Sequence, residues 1–277
     1  MLVKTYKNTL KNIFRTKTFW LCLFVMLIVA TQGALGGYYV GDDEPGTILS
    51  FNDYIQVISN CCITTLLQYA MPIFSIITVA LIINHDYRDN LFEIEKSAGM
   101  KPSRYVLGRI SALLTLNSVV VVLLHFICLY TYLSTRGWVK DMVWTECIAD
   151  SLPRVLRIDA FVAIPCIAFY LGIALLSGNV FKSGIAATIF SSSYAIAYYV
   201  FNLILRHKIG ATYFNYFSPI PKKLRQYFHF YDTEWFEGLL KSYDLSIEKT
   251  LFCLAFLLGV FVLGALGSYL ITRKRTV

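Results

Sequence analysis

The densest run of ionisable side chains in this 277-residue chain is HDYRDNLFEIEKSAGMKPSRYVLGR, from His85 to Arg109. Its residue types suit protein docking. Tyr87, Leu91 and Ile94 stand at i, i+4 and i+7, with Arg88, Asp89, Glu93, Glu95 and Lys96 on other faces, the spacing of a short amphipathic helix. Gly99 can end such a helix, Pro102 keeps it ended, and Ser103 can cap the helix that follows. Apolar teeth inside a rim of mixed charge fit a groove on a partner protein. The same residues also fit a solvated loop whose charges serve only to orient the chain.

The elements that must hold this segment are apolar. Hydrophobic residues make up 57% of the chain and charged residues 15%, with a mean hydropathy of +0.59. A soluble domain carries about 25% charged residues, so lipid is the expected solvent for most side chains. A span takes about 20 mainly apolar residues, and six stretches qualify: 19 to 39, 62 to 84, 110 to 133, 158 to 177, 184 to 205 and 250 to 271. Lipid offers the backbone no hydrogen-bond partner, so stretches of this length are expected to be helices. The expected fold is all-α, one integral membrane domain over 1 to 277.

Orientation follows the basic residues. Lys4, Lys7, Lys11, Arg15 and Lys17 precede the first span. Arg88, Lys96, Lys101, Arg104 and Arg109 lie in the 85 to 109 loop, Lys182 in the fourth-to-fifth connection, and Arg273, Lys274 and Arg275 after the sixth span; together these are 14 of the 25 Lys and Arg. The 40 to 60 loop has neither, and carries Asp42, Asp43, Glu44 and Asp53. By the positive-inside rule both termini are expected in the cytoplasm. The net charge of +8 then reads as a topology and lipid-headgroup signal, and nucleic acid is not an expected partner. Over residues 1 to 17, Tyr6, Leu10, Ile13 and Phe14 share one face while Lys4, Lys7, Lys11 and Arg15 take other positions. This predicts a helix lying in the inner membrane surface; the alternative is a solvated basic tail. The apolar run after it is of full spanning length without a clear small-residue cleavage site, which predicts an uncleaved first span.

Other chemistries find less material. His125, with Asp159 at the outer end of the fourth span, is the ionisable material within the spans, and a lone histidine there is expected to hydrogen-bond a neighbouring helix. Ser191, Ser192 and Ser193 suit close helix packing, and His85, His207 and His229 are isolated. No metal site or catalytic residue is expected. Cys22, Cys128, Cys166 and Cys253 lie in spans as apolar filler, whereas Cys61 or Cys62 could pair with Cys147 on the outer side. The segment from 206 to 249 crowds Tyr213, Phe214, Tyr216, Phe217, Tyr227, Phe228, Phe230, Tyr231, Trp235 and Phe236 among Lys222, Lys223 and Arg225. Rings with polar tips favour the membrane interface, either as an anchor or as an outer gate.

The run Arg88-Asp89-Asn90-Leu91-Phe92-Glu93, followed by Pro102-Ser103-Arg104 and by Gly108-Arg109, resembles the signature of type-2 ATP-binding-cassette (ABC) exporter permeases. In that family an acidic-Gly-Thr-Leu-Glu run precedes a Pro-x-Ser-Arg-like element and a Gly-Lys. The likeness covers the whole chain: a basic amphipathic leader, six spans, a loop after the second, a long outer segment with a Ser-Pro-x-Pro element (Ser218 to Pro221) and a basic end. Asn90 stands where the family often has glycine, and Arg109 replaces lysine.

The resemblance implies that the 85 to 109 loop is a coupling helix gripped by an ATPase whose closure on ATP moves the spans. Arg88, Asp89, Leu91, Phe92, Glu93 and Ile94 would dock that ATPase. The chain has no Gly-x4-Gly-Lys-Ser/Thr phosphate loop, so ATP and Mg are expected on a separate subunit, present in two copies beside a second permease, identical or related. No cofactor and no enzymatic activity are expected of this chain. The outer segment would dip into the membrane, with Phe214, Phe217, Pro219 and Pro221 as gate candidates. A hydrophobic or amphipathic substrate, whether peptide, lipid or drug, and the bacterial plasma membrane complete the expectation. Its rival is a self-contained carrier, channel or assembly factor whose charged loop recruits a cytosolic regulator.

Overall fold

The computed structural model describes residues 2–36, 70–135, 156–157, 159–205 and 246–275. Every regular element among them is helical. In chain order these are α1 (Leu2–Arg15), α2 (Lys17–Gly36), α3 (Met71–Arg88), α4 (Leu91–Ser97), α5 (Pro102–Thr135), a π-helical turn (Asp159–Ala163), α6 (Ile164–Phe181), α7 (Gly184–Leu205) and α8 (Ile247–Lys274). Pro102–Ile127, Asp159–Phe181 and Ile247–Lys274 are long and apolar enough to cross a membrane. The pair formed by α1 and the first part of α2 passes the same test but bends by 74°. Helix α7 covers the stretch expected from 184, and α2 most of the first.

Helix α6 is the axis of the bundle. From Pro165 to Leu171 every residue is buried, and α3, α7 and α8 all pack on it. The α6–α8 crossing is a backbone contact. A Cβ on Gly264 would overlap the Gly172 carbonyl oxygen, and one on Gly172 would stand 2.7 Å from Phe261 Cα. Small residues at a crossing let helices gain dispersion contact where lipid gives no hydrophobic drive. Asn179 Nδ2 donates to Ser268 Oγ at 3.3 Å across the same interface.

Polar side chains meet inside the bundle at several places among the described residues. Ser75 Oγ donates to Asn117 Oδ1 at 3.0 Å and Asn117 Nδ2 to Thr78 Oγ1 at 3.2 Å, joining α3 to α5. Farther along α5, His125 Nδ1 pairs with Asp159 Oδ1 in the π-helical turn, both side chains buried. His125 does meet a neighbouring element, but as one half of an ionisable pair.

Helix α1 lies against the start of α5 rather than apart from the protein. Thr5, Thr9 and Ile13 are its buried positions. Gly108 allows the approach: a Cβ there would stand 3.0 Å from Thr5 Cβ and 3.2 Å from the Leu2 carbonyl oxygen. The stripe expected from sequence therefore divides. Ile13 turns to the protein, whereas Phe14 remains exposed and Tyr6 and Leu10 half-exposed. The bend to α2 is held by Trp20 Nε1, which donates to the Phe14 carbonyl at 2.7 Å.

Candidate functional site

The charged segment folds as two corners around one short helix. Helix α3 stops at Arg88, where the Asp89 N–H bonds the His85 carbonyl at 3.0 Å. Asn90 then takes left-handed backbone angles, φ 47° and ψ 41°. Asparagine is among the few residues besides glycine that adopt this region at small cost, which gives a physical reason for Asn90 at a position where the resembled family often has glycine. Helix α4 ends in a Schellman motif: the Met100 N–H bonds the Glu95 carbonyl at 3.0 Å and the Gly99 N–H bonds the Lys96 carbonyl at 2.8 Å, with Gly99 at φ 83° and Met100 buried, as this motif favours.

Three sequence expectations change here. Tyr87 belongs to α3, so it shares no helix with Leu91 and Ile94. Pro102 opens α5, the first-turn position where its missing N–H is not needed; Ser103 is inside the helix and does not cap it. Phe92, one of the docking residues that the resemblance implies, is the fully buried tooth of α4. Its ring lies 4.9 Å from that of Tyr105. The outward surface consists of Arg88, Asp89, Glu93 and Ile94, the last 60% exposed, with Leu91 half-buried.

Beneath α4 sits a buried carboxylate, Asp86, 1% exposed. Tyr105 Oη donates to its Oδ1 at 2.5 Å and the Phe92 N–H to the same oxygen at 3.2 Å. Arg109 Nη1 donates to Oδ2 at 2.8 Å. Arg275, just past α8, adds a contact to Oδ2 at 3.4 Å and donates to Glu93 Oε1 from Nη2 at 2.6 Å and Nε at 3.2 Å. Its guanidinium lies over the Tyr87 ring at 4.5 Å and the Phe92 ring at 5.1 Å. Two carboxylates thus face two guanidiniums, and the charge sums to zero, as a partly buried cluster requires. Burial alone would push the Arg275 guanidinium down, but Asp86 and Glu93 outweigh it and hold it more firmly protonated.

The opposite end of α4 is tied to α1. Thr5 Oγ1 donates to Glu95 Oε2 at 2.6 Å and Asn8 Nδ2 to Glu95 Oε1 at 3.3 Å. On the surface, Arg88 Nε donates to Asp89 Oδ1 at 2.7 Å, and His85 Nδ1 lies 3.0 Å from Asp89 Oδ2. The Arg88 hydrogen bond, followed by that of His85, holds the Asp89 carboxyl well below the usual carboxylate range.

Helix α4 is therefore held by side chains from α1, α3, α5 and the end of α8. Sequence reading singled out its outer face and missed the anchors Asp86, Tyr105, Glu95 and Arg275. An acidic residue at the end of an apolar span was the one available signal for Asp86. The gate candidates Phe214, Phe217, Pro219 and Pro221 lie outside the described residues, as do Cys61, Cys62 and Cys147. No protein-family model matches the chain, and no curated protein matches it.

Proposed function

We propose that this chain is the membrane subunit of an ATP-driven exporter, with α4 as the coupling helix on which a separate ATPase subunit docks. The observation that carries the reading is the anchoring of α4. A seven-residue helix with an exposed apolar tooth, Ile94, is tied through Glu95, Phe92 and Glu93 to four other parts of the bundle. Force applied to such a helix is delivered to several spans together. A loop serving orientation alone needs charge but no anchors.

On this reading the bundle crosses the plasma membrane six times with both termini in the cytoplasm. Two ATPase subunits carry ATP and Mg, and a second permease, identical or related, completes the pathway for a hydrophobic or amphipathic peptide, lipid or drug. Arg88, Asp89, Leu91, Glu93 and Ile94 form the docking surface, and Phe92 positions it from within. The segment from 206 to 249, with Phe214, Phe217, Pro219 and Pro221, closes the outer side.

A self-contained carrier is the second reading. It draws on the buried His125–Asp159 pair, because ionisable groups inside a membrane are costly and functional by default. Reconstitution into vesicles separates the two. ATP-dependent transport that appears only when a phosphate-loop ATPase subunit is co-expressed supports the exporter; ion-gradient-driven transport by the purified chain alone supports the carrier.

A further inference from the structure

We infer that Arg275 is a positioning residue, the link through which a displacement of α4 reaches α8 and, through α8, the central helix α6. The inference rests on the coupling reading above and assigns a role to a residue whose charge otherwise reads as a topology signal.

Helix α4 has two kinds of attachment. Phe92 and Glu95 bind it to its neighbours in the amino-terminal part of the fold: Phe92 to Tyr105 and, through its N–H, to Asp86; Glu95 to Thr5 and Asn8. Arg275 instead reaches it from the far end of the sequence, 182 residues from Glu93. Its side chain is 15% exposed and lies over two rings while donating to two carboxylates. A planar guanidinium satisfies such a place, because its donors spread in a fixed fork and its face stacks on aromatic rings.

The link is asymmetric. Glu93 is 46% exposed at its side chain, so water can replace Arg275 there. Asp86 is buried and has no such replacement. Asp86 stands on α3, which Asp89 and Asn90 join directly to α4 and to which the Phe92 N–H is bonded, so moving the α3–α4 corner away from α8 breaks the outer bond at small cost but strips a buried carboxylate of its second cation. The path of lower energy carries Arg275, and the end of α8, along with the α3–α4 corner. Beyond this point α8 cannot slide freely, because Gly264 and Gly172 place its backbone against that of α6. A push at α4 thus reaches α5 through Phe92 and Arg109, and the α6–α8 pair through Arg275.

Three variants test the role: Arg275→Gln, Arg275→Lys and Arg275→Glu combined with Glu93→Arg. Lysine keeps the charge but cannot stack on two rings or span both carboxylates. The exchange restores the outer pair but sets a second carboxylate against Asp86. The first readout needs no partner: spin labels at Ser97→Cys and Leu270→Cys, in a background without native cysteines, give the α4–α8 distance distribution in nanodiscs. We expect a narrow distribution in the parent, about twofold broader for glutamine and for the exchange, and intermediate for lysine. The second readout is transport per ATP hydrolysed in the reconstituted complex, expected to fall about tenfold for glutamine while the ATPase subunit still co-purifies. An unchanged distance distribution overturns the link. A broadened distribution with unchanged transport per ATP overturns the positioning role. If the parent recruits no ATPase subunit at all, the exporter reading fails and the positioning role falls with it, while the distances still decide whether the link exists.

Discussion

Removal of the Asp86 carboxylate should cost the protein more than removal of any docking residue, and the geometry sets the size. Asp86 accepts from Tyr105 at 2.5 Å, Arg109 at 2.8 Å and the Phe92 N–H at 3.2 Å. Hydrogen bonds to a charged group are each worth about 1.5–3 kcal/mol, and breaking a buried ion pair costs about 3–5 kcal/mol because the other charge is left behind. Helices separated but still in lipid find other partners, which lowers such values towards about 1 kcal/mol. The cluster lies at the end of the bundle, so a figure between these limits applies. Asp86→Ala should cost about 3 kcal/mol, and Arg109→Leu a similar amount by leaving the carboxylate short of its closest cation. Asp86→Ala with Arg109→Leu strands neither charge, so the double variant should be less destabilised than the sum, with a coupling energy of about 2 kcal/mol, or about thirtyfold in the folding equilibrium. Unfolding in bicelles by rising dodecyl sulfate, run as a double-mutant cycle, measures it. A coupling energy below about 0.5 kcal/mol, the ordinary limit of additivity, would show that the pair does not hold the cluster.

Ile94→Asp with Leu91→Asp should abolish ATP-dependent transport and co-purification of the ATPase subunit while membrane insertion is unaltered; normal transport by the correctly inserted double variant removes the docking assignment. By contrast, Phe92→Ala should act on stability, lowering it by about 3 kcal/mol as buried aromatic truncations do, measured in the same unfolding assay. Gly264→Leu places side-chain atoms where the Gly172 carbonyl stands, and should shift the thermal unfolding midpoint in detergent down by several degrees or prevent assembly; a parent-like midpoint would mean that α6 and α8 separate at no cost. For pH, the Asp89 carboxyl is depressed in the folded state. Its contribution to the α3–α4 corner is therefore fully present above the ordinary carboxylate value of about 4 and is lost as the pH falls through the depressed value. Amide exchange of residues 90 to 94 should accelerate over that acid range in the parent and show no such step in Asp89→Asn; identical profiles would dismiss the Arg88–Asp89–His85 corner.

The helical character of the chain was legible because apolar length is a property of contiguous residues. Helix α7 begins at Gly184, where hydropathy places it, and α5 contains the whole of its expected stretch. Local corners were harder to read. Tyr87, Leu91 and Ile94 keep helical spacing across a break at Asp89 and Asn90, because periodicity cannot register a single residue in the left-handed region. Phe92 entered the docking set through the family resemblance alone, because sequence cannot say which face of a seven-residue helix meets the bundle. Arg275 was hidden for a different reason: a basic residue after a span already has a sufficient explanation in orientation. His125 and Asp159 were each visible as costly groups, but their pairing belongs to the packing of α5 against the start of α6.

The wide sequence separation inside the charged cluster also fixes an order of events during synthesis. Asp86 and Arg109 are 23 residues apart, so the carboxylate gains its first cation once α3 and α5 have been made and packed together. The second comes 189 residues after Asp86, behind α6, α7 and α8. Translation proceeds at about 5–20 residues per second, so for roughly ten seconds or longer the nascent protein holds α4 without its outer clasp. During that time Glu93 is unmatched and the faces of Tyr87 and Phe92 are open. A chain that fails to place α8 keeps that half-built surface. The last-made helix of the bundle thus completes the cluster that α3 and α5 begin.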